Sequence, residues 1–283
     1  MGKIALGFVV YNPPSSLFKR MELAVKAGWT LFVFDNSPVE ESLRVFCTAH
    51  SDCKYFTTGK NVGLGYGMSS VAAQSYYSGY MALLFFDQDT VFNVNTLVFI
   101  ERFYQMNASM AKAYSSVVFN TNCARSGSNQ VEFVTRDVLL SINSGSLYFL
   151  ENVRKLNWFD ETFFVDGVDY EFCLRSSQAN LKTASCVNTP GYDHVTEQED
   201  ALYYIFGQSR RLRRYSRSRL IGSVLAMIRL CWAATIGLNC SYLGVILRSF
   251  TLYIFWQIVV RILILFPKLG NPTTSSLAPF ERK

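Results

Sequence analysis

Two aspartates, Asp87 and Asp89, stand one residue apart where a run of apolar residues ends. The run, ALLFF at 82–86, is typical of a strand buried on both faces of a sheet. A carboxylate is costly to remove from water unless a positive group meets it. Carboxylate oxygens suit a hard divalent cation such as Mg²⁺ or Mn²⁺, which in turn can hold a diphosphate. The spacing indicates such a site, although an isolated Asp-x-Asp is more often a surface turn.

A second group of acids, Asp166, Asp169 and Glu171, precedes Arg175. If the chain is helical from residue 168, Asp169 and Glu171 point in different directions, whereas Asp166 and Asp169 can share a face. A carboxylate serves as a general base when its neighbours hold its pKa in a useful range. Several acids gathered at 166–171 can provide that environment.

Three further features are candidates for binding. The Asp35-Asn36-Ser37 stretch can accept hydrogen bonds from a base or ribose, or form an Asx turn or helix cap. The loop NVGLGYG at 61–67 is not a dinucleotide fingerprint, but its glycines allow close approach of backbone to a ligand. His194 is one of two histidines and is either structural or a third metal ligand.

The elements that must position these residues alternate along the first 120 residues. Apolar strands are predicted at 4–12, 30–37, 54–58 and 80–86, and helices lie between them. This alternation indicates a mostly parallel sheet covered by helices, in which ligands bind at the carboxyl ends of the strands. Asn12, Asp35 and Asp87 all follow such strands. Beyond residue 113 the pattern predicts strands within 113–120 and 130–142, and a short helix and turn over 146–161.

The charge is divided unevenly between two predicted regions, 1–206 and 207–283. The first has 15 basic and 20 acidic residues, a net charge of −5, and the second has 12 basic and one acidic residue, a net charge of +11. Six arginines are close together at the start of the second region: Arg210, Arg211, Arg213, Arg214, Arg217 and Arg219. Such an asymmetry points to a membrane surface or to nucleic acid.

Two apolar segments, 220–247 and 249–266, follow the arginines and are long enough to span a bilayer. Arg229, Arg248 and Arg261 interrupt them, and a charge in the hydrocarbon costs a few kcal/mol. We therefore expect helices that lie in the interface, with the arginines on anionic headgroups. Spanning helices and a soluble helical subdomain or oligomer contact are the alternatives. Nucleic-acid binding is disfavoured because the basic residues adjoin apolar helices.

Other features bear on compartment and class. The seven scattered cysteines show no CxxC pair and fit free thiols in a reducing compartment, so a cytoplasmic location is predicted. No Ser/His/Asp arrangement and no P-loop occurs, which disfavours a hydrolase or a kinase.

Several stretches together resemble a known family. VVYNP, FDNS, NVGLGYG, FFDQDT, the block from NSGS at 143 to CLR at 175, and His194 match in order and spacing the inverting glycosyltransferases of family 2. The likeness is greatest to the rhamnosyltransferase-like branch that builds bacterial O-antigen and related surface polysaccharides. It extends over about residues 3–200 and implies an α/β GT-A type nucleotide-sugar-binding domain, here followed by a C-terminal α-helical membrane-associating segment.

The resemblance also implies roles for individual residues. It implies Asp169 as the general base, with Asp166 as second choice, and a Mg²⁺ or Mn²⁺ ion held by Asp87, Asp89 and His194. The implied nucleotide-sugar ligands are Asn12, Asp35, Asn61, Gly63, Asp87 and Gln88. The residues implied at the donor sugar or acceptor are Ser144, Gly145, Ser146, Glu171 and Arg175.

The activity implied is transfer of a sugar from a nucleotide donor, with dTDP-rhamnose favoured, to a polyprenyl-diphosphate-linked glycan. Transfer of another sugar, such as galactofuranose or a UDP-hexose, is an alternative, and so is an inactive membrane-bound nucleotide-sugar-binding protein. The implied location is the cytoplasmic face of the bacterial inner membrane, peripheral rather than spanning. Homo-oligomerisation is left open.

Overall fold

The structure, a computed structural model, describes residues 3–38, 41–120, 133–194, 201–205 and 208–265. The strands are β1 Lys3–Val10, β2 Leu31–Asp35, β3 Cys53–Thr57, β4 Tyr80–Asp87, β5 Thr90–Val91, β6 Tyr114–Val118, β7 Thr135–Val138, β8 Ser146–Phe149, β9 Lys182–Cys186, β10 Asp193–His194, β11 Ala201–Ile205 and β12 Gln208–Leu212. The helices are α1 Ser15–Lys26, α2 Glu41–Ala49, α3 Leu64–Tyr77, α4 Val94–Asn107, α5 Leu150–Lys155, α6 Val168–Gln178, α7 Arg217–Ile236 and α8 Cys240–Leu265.

Eight of the strands form one central sheet in the order β3-β2-β1-β4-β8-β6-β9-β7. The pairs within β3-β2-β1-β4 are parallel, as is β6 with β9, while β8 is antiparallel to both β4 and β6. This confirms the predicted α/β class. Residues 146–149 were expected in a helix and instead form β8, because all four side chains are buried within the sheet.

The apolar strands are buried because helices cover both faces of the sheet. Along β1, Leu6, Phe8 and Val10 pack into a core with α1, α2 and α4, while Ala5 and Val9 pack into a second core with α3, α5 and α6. Successive side chains of a strand point to opposite faces, so a strand covered on both sides carries no polar positions. Polar residues are therefore displaced to the strand ends.

The register of the sheet brings those ends together. Val10 pairs with Asp35 and Val9 with Asp87, so the carboxyl ends of β1, β2 and β4 lie at one edge. Because β8 is antiparallel and begins opposite Phe85, the residues that precede it reach the same edge. A small second sheet pairs β10 with β5 and brings the chain at 193–194 to this edge as well.

Helices α7 and α8 form an antiparallel pair against the second core. Leu230 of α7 and Tyr242 of α8 are fully buried, and the Tyr242 hydroxyl donates to the Tyr170 carbonyl at 2.6 Å. The outer faces expose apolar side chains, including Ile228 and Trp232. By length and composition, both helices are sufficiently apolar to cross a membrane.

The division into regions 1–206 and 207–283 stays a prediction. It falls between β11 and β12, which pair as an antiparallel hairpin on either side of it. The side chains of α7 and α8 share an apolar core with those of α6.

Candidate active site

A cleft of about 500 Å³ lies at the carboxyl edge of the sheet. Six of the residues that line it were predicted as site residues: Asp87, Gln88, Asp89, Ser144, Asp166 and Asp169. The cleft is thus formed by the end of β4, the segment before β8 and the start of α6. Acids that are about 80 residues apart in the sequence face the same space.

The turn after β4 is held in place by its neighbours. The Asp87 amide donates to Ser144 Oγ at 3.3 Å, and Ser144 Oγ is 2.5 Å from Thr90 Oγ1. The Gln88 side chain bridges both backbone groups of Tyr11, at 2.8 and 3.2 Å. The guanidinium of Arg20 also donates to the Gln88 carbonyl. These bonds fix the turn so that Asp87 and Asp89 border the cleft.

The two aspartates fit a divalent cation. They present carboxylate oxygens at one wall of the cleft, the donor type that Mg²⁺ and Mn²⁺ prefer. The pairing of β10 with β5 sets the His194 backbone opposite Thr90, one residue after Asp89. The His194 side chain lies outside what the structure describes. Among the described residues, no group of three His, Cys, Asp or Glu side chains is close enough together to hold an ion.

Asp169 lies in the first turn of α6 and borders the cleft. The pKa of its carboxyl is raised to about 6, chiefly by burial and to a smaller extent by the nearby charge of Asp166. Hydrogen bonds from the backbone amides of Tyr170 and of Asp169 itself oppose this shift. Since this pKa is close to neutrality, Asp169 is charged at pH 7 yet basic enough to accept a proton.

Asp166 is bound by α7. Ser223 Oγ donates to one of its carboxylate oxygens at 2.5 Å, and Arg219 approaches the other at 3.4 Å. Arg219 and Arg213 line this cleft, whereas the sequence analysis assigned them to a membrane surface. Arg213 lies between β12 and α7, Arg219 lies in the first turn of α7, and α7 packs beside the cleft. Positive charge from the C-terminal region therefore faces the acids.

No protein-family model and no curated protein matches the chain. Among solved structures, S. aureus TarS 1-349 in complex with UDP-GlcNAc aligns with a TM-score of 0.56 at 12% identity, covering 82% of this chain and 66% of that one. GalNAc-T7 with UDP, GalNAc and Mn²⁺ aligns with a TM-score of 0.55 at 11% identity, covering 70% and 45%. S. aureus TarS aligns with a TM-score of 0.52 at 15% identity, covering 70% and 37%.

The fold is of the GT-A type. At these identities the likeness concerns the fold alone. The chain spans between about one third and two thirds of the length of the proteins that it matches. The GT-A type sheet order and the cleft at its carboxyl edge agree with the fold predicted from the sequence.

Two further residues predicted to bind the nucleotide, Asn12 and Asp35, lie just after β1 and at the end of β2, beside the cleft, and do not line it. Asp35 is fully buried and accepts hydrogen bonds from the Ser37 amide at 2.8 Å and the Tyr55 hydroxyl at 2.9 Å. The first bond is the Asx turn that was considered as the alternative. The Asn12 amide donates to Ser37 Oγ at 2.8 Å. The Asp35 carboxylate thus holds the segment after β2 and the side chain of Tyr55 in place. Asp35 is not among the residues that border the cleft.

The glycine loop contacts protein backbone. The amides of Leu64 and Gly65 donate to the carbonyls of Phe164 and Phe163, at 2.5 and 3.2 Å. A Cβ atom on Gly65 would lie 2.4 Å from the carbonyl oxygen of Asp160. The loop therefore positions the segment that leads into Asp166.

Two polar residues hold the glycine loop against β2. Asn36, which is buried, accepts from the Val62 amide and donates to the Gly63 carbonyl, each at 3.0 Å. Asn61 accepts from the Gly63 amide at 3.0 Å. Gly63 has a φ angle of 92°, a backbone conformation that residues with a side chain rarely adopt. Asn61 and Gly63 therefore shape the loop and do not border the cleft.

Two of the predicted sugar-binding residues pair with each other instead of lining the cleft. The guanidinium of Arg175 donates to both carboxylate oxygens of Glu171 and to the carbonyls of Leu156 and Trp158. Burial raises the pKa of Glu171, and the charge of Arg175 opposes that rise. This pair ties α6 to the end of α5.

Near β8, only the first two residues of the NSGS stretch border the cleft. Ser146 is buried and donates to the Ile142 carbonyl at 2.6 Å, and Gly145 donates its amide to the Phe85 carbonyl at 2.7 Å. Asn143 borders the cleft, and its amide oxygen accepts from the Tyr148 hydroxyl at 2.8 Å. The resemblance implies a place at the donor sugar or acceptor for the whole NSGS stretch, Asn143 included.

Proposed function

We propose that the protein is an inverting, divalent-metal-dependent glycosyltransferase that transfers a sugar from a nucleotide donor to a lipid-linked glycan. One observation carries the proposal: the cleft brings the Asp87 and Asp89 carboxylates together with Asp169, whose pKa is raised to about 6. Two acids suit a cation beside a diphosphate, and the third suits proton removal. The structural neighbours with bound UDP-GlcNAc or UDP, GalNAc and Mn²⁺ support this reading.

The chemistry requires one base and a stabilised leaving group. Asp169 accepts the proton of an acceptor hydroxyl while the oxygen attacks the anomeric carbon from the side opposite the nucleoside diphosphate. The bond to the diphosphate breaks as the new glycosidic bond forms, so the configuration inverts. A cation held by Asp87, Asp89 and His194 would offset the charge on the diphosphate. Arg213 and Arg219 add positive charge to the lining of the cleft.

For the donor, the resemblance favours dTDP-rhamnose, while UDP-sugars in structural neighbours favour a UDP-hexose. For the acceptor, the apolar outer faces of α7 and α8 support a location at a membrane. Arg229 donates to the Thr162 carbonyl and Tyr242 to that of Tyr170, so the inner faces of these helices stay docked on the catalytic core. This docking supports peripheral association with the membrane; the cytoplasmic face of the inner membrane is proposed from the resemblance and from the scattered cysteines.

The test is release of nucleoside diphosphate from a panel of sugar nucleotides, with Mn²⁺ or Mg²⁺ and membrane-extracted lipid-linked glycan. We expect turnover with one donor, and its loss in both Asp89→Ala and Asp169→Asn. Asp52→Asn, an exposed acid at the opposite edge of the sheet, is the matched control. Inversion is checked by the anomeric configuration of the product.

The alternative from the sequence, an inactive nucleotide-sugar-binding protein, predicts a different result. It gives tight binding of a sugar nucleotide without release of nucleoside diphosphate from any donor, even with the full acceptor extract. The raised pKa of Asp169 favours the enzyme, because a binding protein gains nothing from a buried carboxylate poised to accept a proton.

A further inference from the structure

A second hollow of about 660 Å³ adjoins the candidate active site. It lies between the segment at 162–166 and the outward side of α7, and its lining is predominantly apolar. The residues that matter here are Phe163, Phe164, Gly222, Leu225 and Ile228. Val165, Asp166 and Arg219 border both this hollow and the candidate active-site cleft, so the two spaces are adjacent. We name the hollow the α7 groove.

Two arginines stand along the α7 groove. Arg219 is at the end shared with the catalytic cleft, and Arg229 is ten residues further along α7, about 15 Å at the rise of an α-helix. The Arg219 side chain is 45% exposed beside Asp166. Arg229 donates to Thr162 and lies 4.5 Å from the centre of the Phe163 ring. The groove therefore combines an apolar lining with cationic groups suited to phosphate oxygens.

The α7 groove also meets the surface that faces outward. Leu225 and Ile228 belong to the groove lining and, at 56% and 55% exposure, to the apolar stripe that continues through Ile221 and Trp232. Those residues recur at helical spacing along one face of α7. A hydrocarbon chain of a ligand that rests against this apolar stripe can enter the groove without crossing a polar surface.

We propose that the α7 groove binds the polyisoprenoid diphosphate end of the acceptor, with the isoprenoid on Phe164, Leu225 and Ile228 and the diphosphate near Arg219. The proposal rests on the proposed function for the identity of the acceptor. Its own support is the adjacency of the groove to the cleft, the apolar lining and the charge complementarity. The glycan, attached to the diphosphate, then extends past Asp166 toward Asp169.

The experiment uses the full chain in detergent with a photoreactive farnesyl diphosphate that carries a diazirine on its isoprenoid. We expect labelled peptides from 162–166 and 218–229. Unlabelled farnesyl diphosphate should reduce labelling more than farnesol or inorganic diphosphate does. Labelling confined to the outward face of α8, or equal competition by farnesol, would overturn the proposal.

Two glycines provide matched variants. A Cβ atom added at Gly222, in the groove, or at Gly244, on α8, meets no atom within 4 Å, so neither position clashes. Gly222→Phe should fill the groove and reduce labelling about tenfold, while Gly244→Phe keeps it. Equal labelling in the two variants contradicts a site in the groove. Thermal melting of each variant checks that it is folded.

The charged end is tested separately. Arg219→Gln should weaken competition by farnesyl diphosphate about tenfold relative to competition by farnesol, with Arg248→Gln on α8 as the control. An unchanged ratio would contradict the role of the arginine. Release of nucleoside diphosphate from donor in the presence of membrane-extracted lipid-linked glycan, in the same preparations, tests the proposed function independently. Labelling of the groove without donor turnover would refute the transferase and leave the lipid site in place.

Discussion

Arg219 lies 3.4 Å from Asp166, and Asp166 in turn raises the pKa of Asp169 three residues later. The C-terminal helix pair thus reaches the proposed base through a single intermediate carboxylate. Ser223, one turn further along α7, holds the other oxygen of Asp166 at 2.5 Å. The properties of the base therefore depend on the placement of α7 as well as on its own helix.

Activity should follow the ionisation of Asp169. Because the pKa of this carboxyl is raised to about 6, the residue is protonated and unable to act as a base below that pH. We expect kcat/KM to fall about tenfold per pH unit below pH 6 and to level off above it. In Asp166→Asn the neighbouring charge is absent, the pKa of Asp169 falls, and the acidic limb moves to lower pH. An acidic limb of the kcat/KM profile that stays at the same pH, or moves to higher pH, would contradict an effect of Asp166 on the pKa of Asp169.

Asp169→Asn should stabilise the fold while it removes activity. Above pH 6 the buried carboxylate is charged, although its ordinary pKa is 3.8, so folding loses stability that is regained as the pH falls through 6 toward 4. One pKa unit corresponds to about 1.4 kcal/mol, which suggests a gain of about 1–3 kcal/mol at pH 7.5. Denaturant unfolding at pH 7.5 and at pH 4 measures it. The gain should vanish at pH 4, and the exposed Glu101→Gln should show none at either pH.

Removal of divalent metal should abolish turnover. Dialysis against a chelator followed by addition of Mn²⁺ or Mg²⁺ should restore it, because Asp87 and Asp89 supply oxygen ligands at the cleft. Asp89→Asn should weaken the apparent affinity for Mn²⁺ about 10–100-fold, as loss of a charged ligand does. The comparison is Asp52→Asn. Full activity of the metal-free enzyme would contradict this prediction and would show that the arginines of the cleft stabilise the diphosphate without a cation.

The Glu171–Arg175 pair should contribute to stability. Arg175→Ala leaves a largely buried carboxylate without its partner and removes donors from the Leu156 and Trp158 carbonyls. We expect a loss of about 2–4 kcal/mol in the free energy of unfolding. Arg154→Ala, which breaks an exposed pair with Glu151, should cost about 0–1 kcal/mol. If Arg175→Ala kept its stability but lost turnover, the sugar-binding role predicted from the sequence would be restored.

The strand ends at the cleft could be predicted from the sequence because burial on both faces leaves a strong local pattern. The runs before Asp35 and Asp87 contain no polar residue, and such runs predicted a mostly parallel sheet covered on both faces, although not the order of its strands. Asp87 lies at the end of β4, as this reasoning predicted, whereas the strand pattern did not predict that Asp166 and Asp169 border the same cleft.

Features that depend on packing across long sequence distances were not predictable. The short run of apolar residues in β8 is compatible with a strand or a helix, and only its two neighbours in the sheet decide between them. Arg213 and Arg219 read as part of a basic cluster, since nothing local shows that α7 returns beside the cleft. The glycines at 63 and 65 indicated close backbone contact, but not that its partner is the carbonyl of Phe164.

The buried inner faces of α7 and α8 bear on how the chain reaches its native state. Leu230 and Tyr242 belong to the same core as Phe172 of α6, so a chain shortened to the catalytic region would expose that core to water. Folding of the candidate active site is then cooperative with docking of the two helices. Synthesis must therefore proceed beyond Tyr242 before the surroundings of Asp169 are complete.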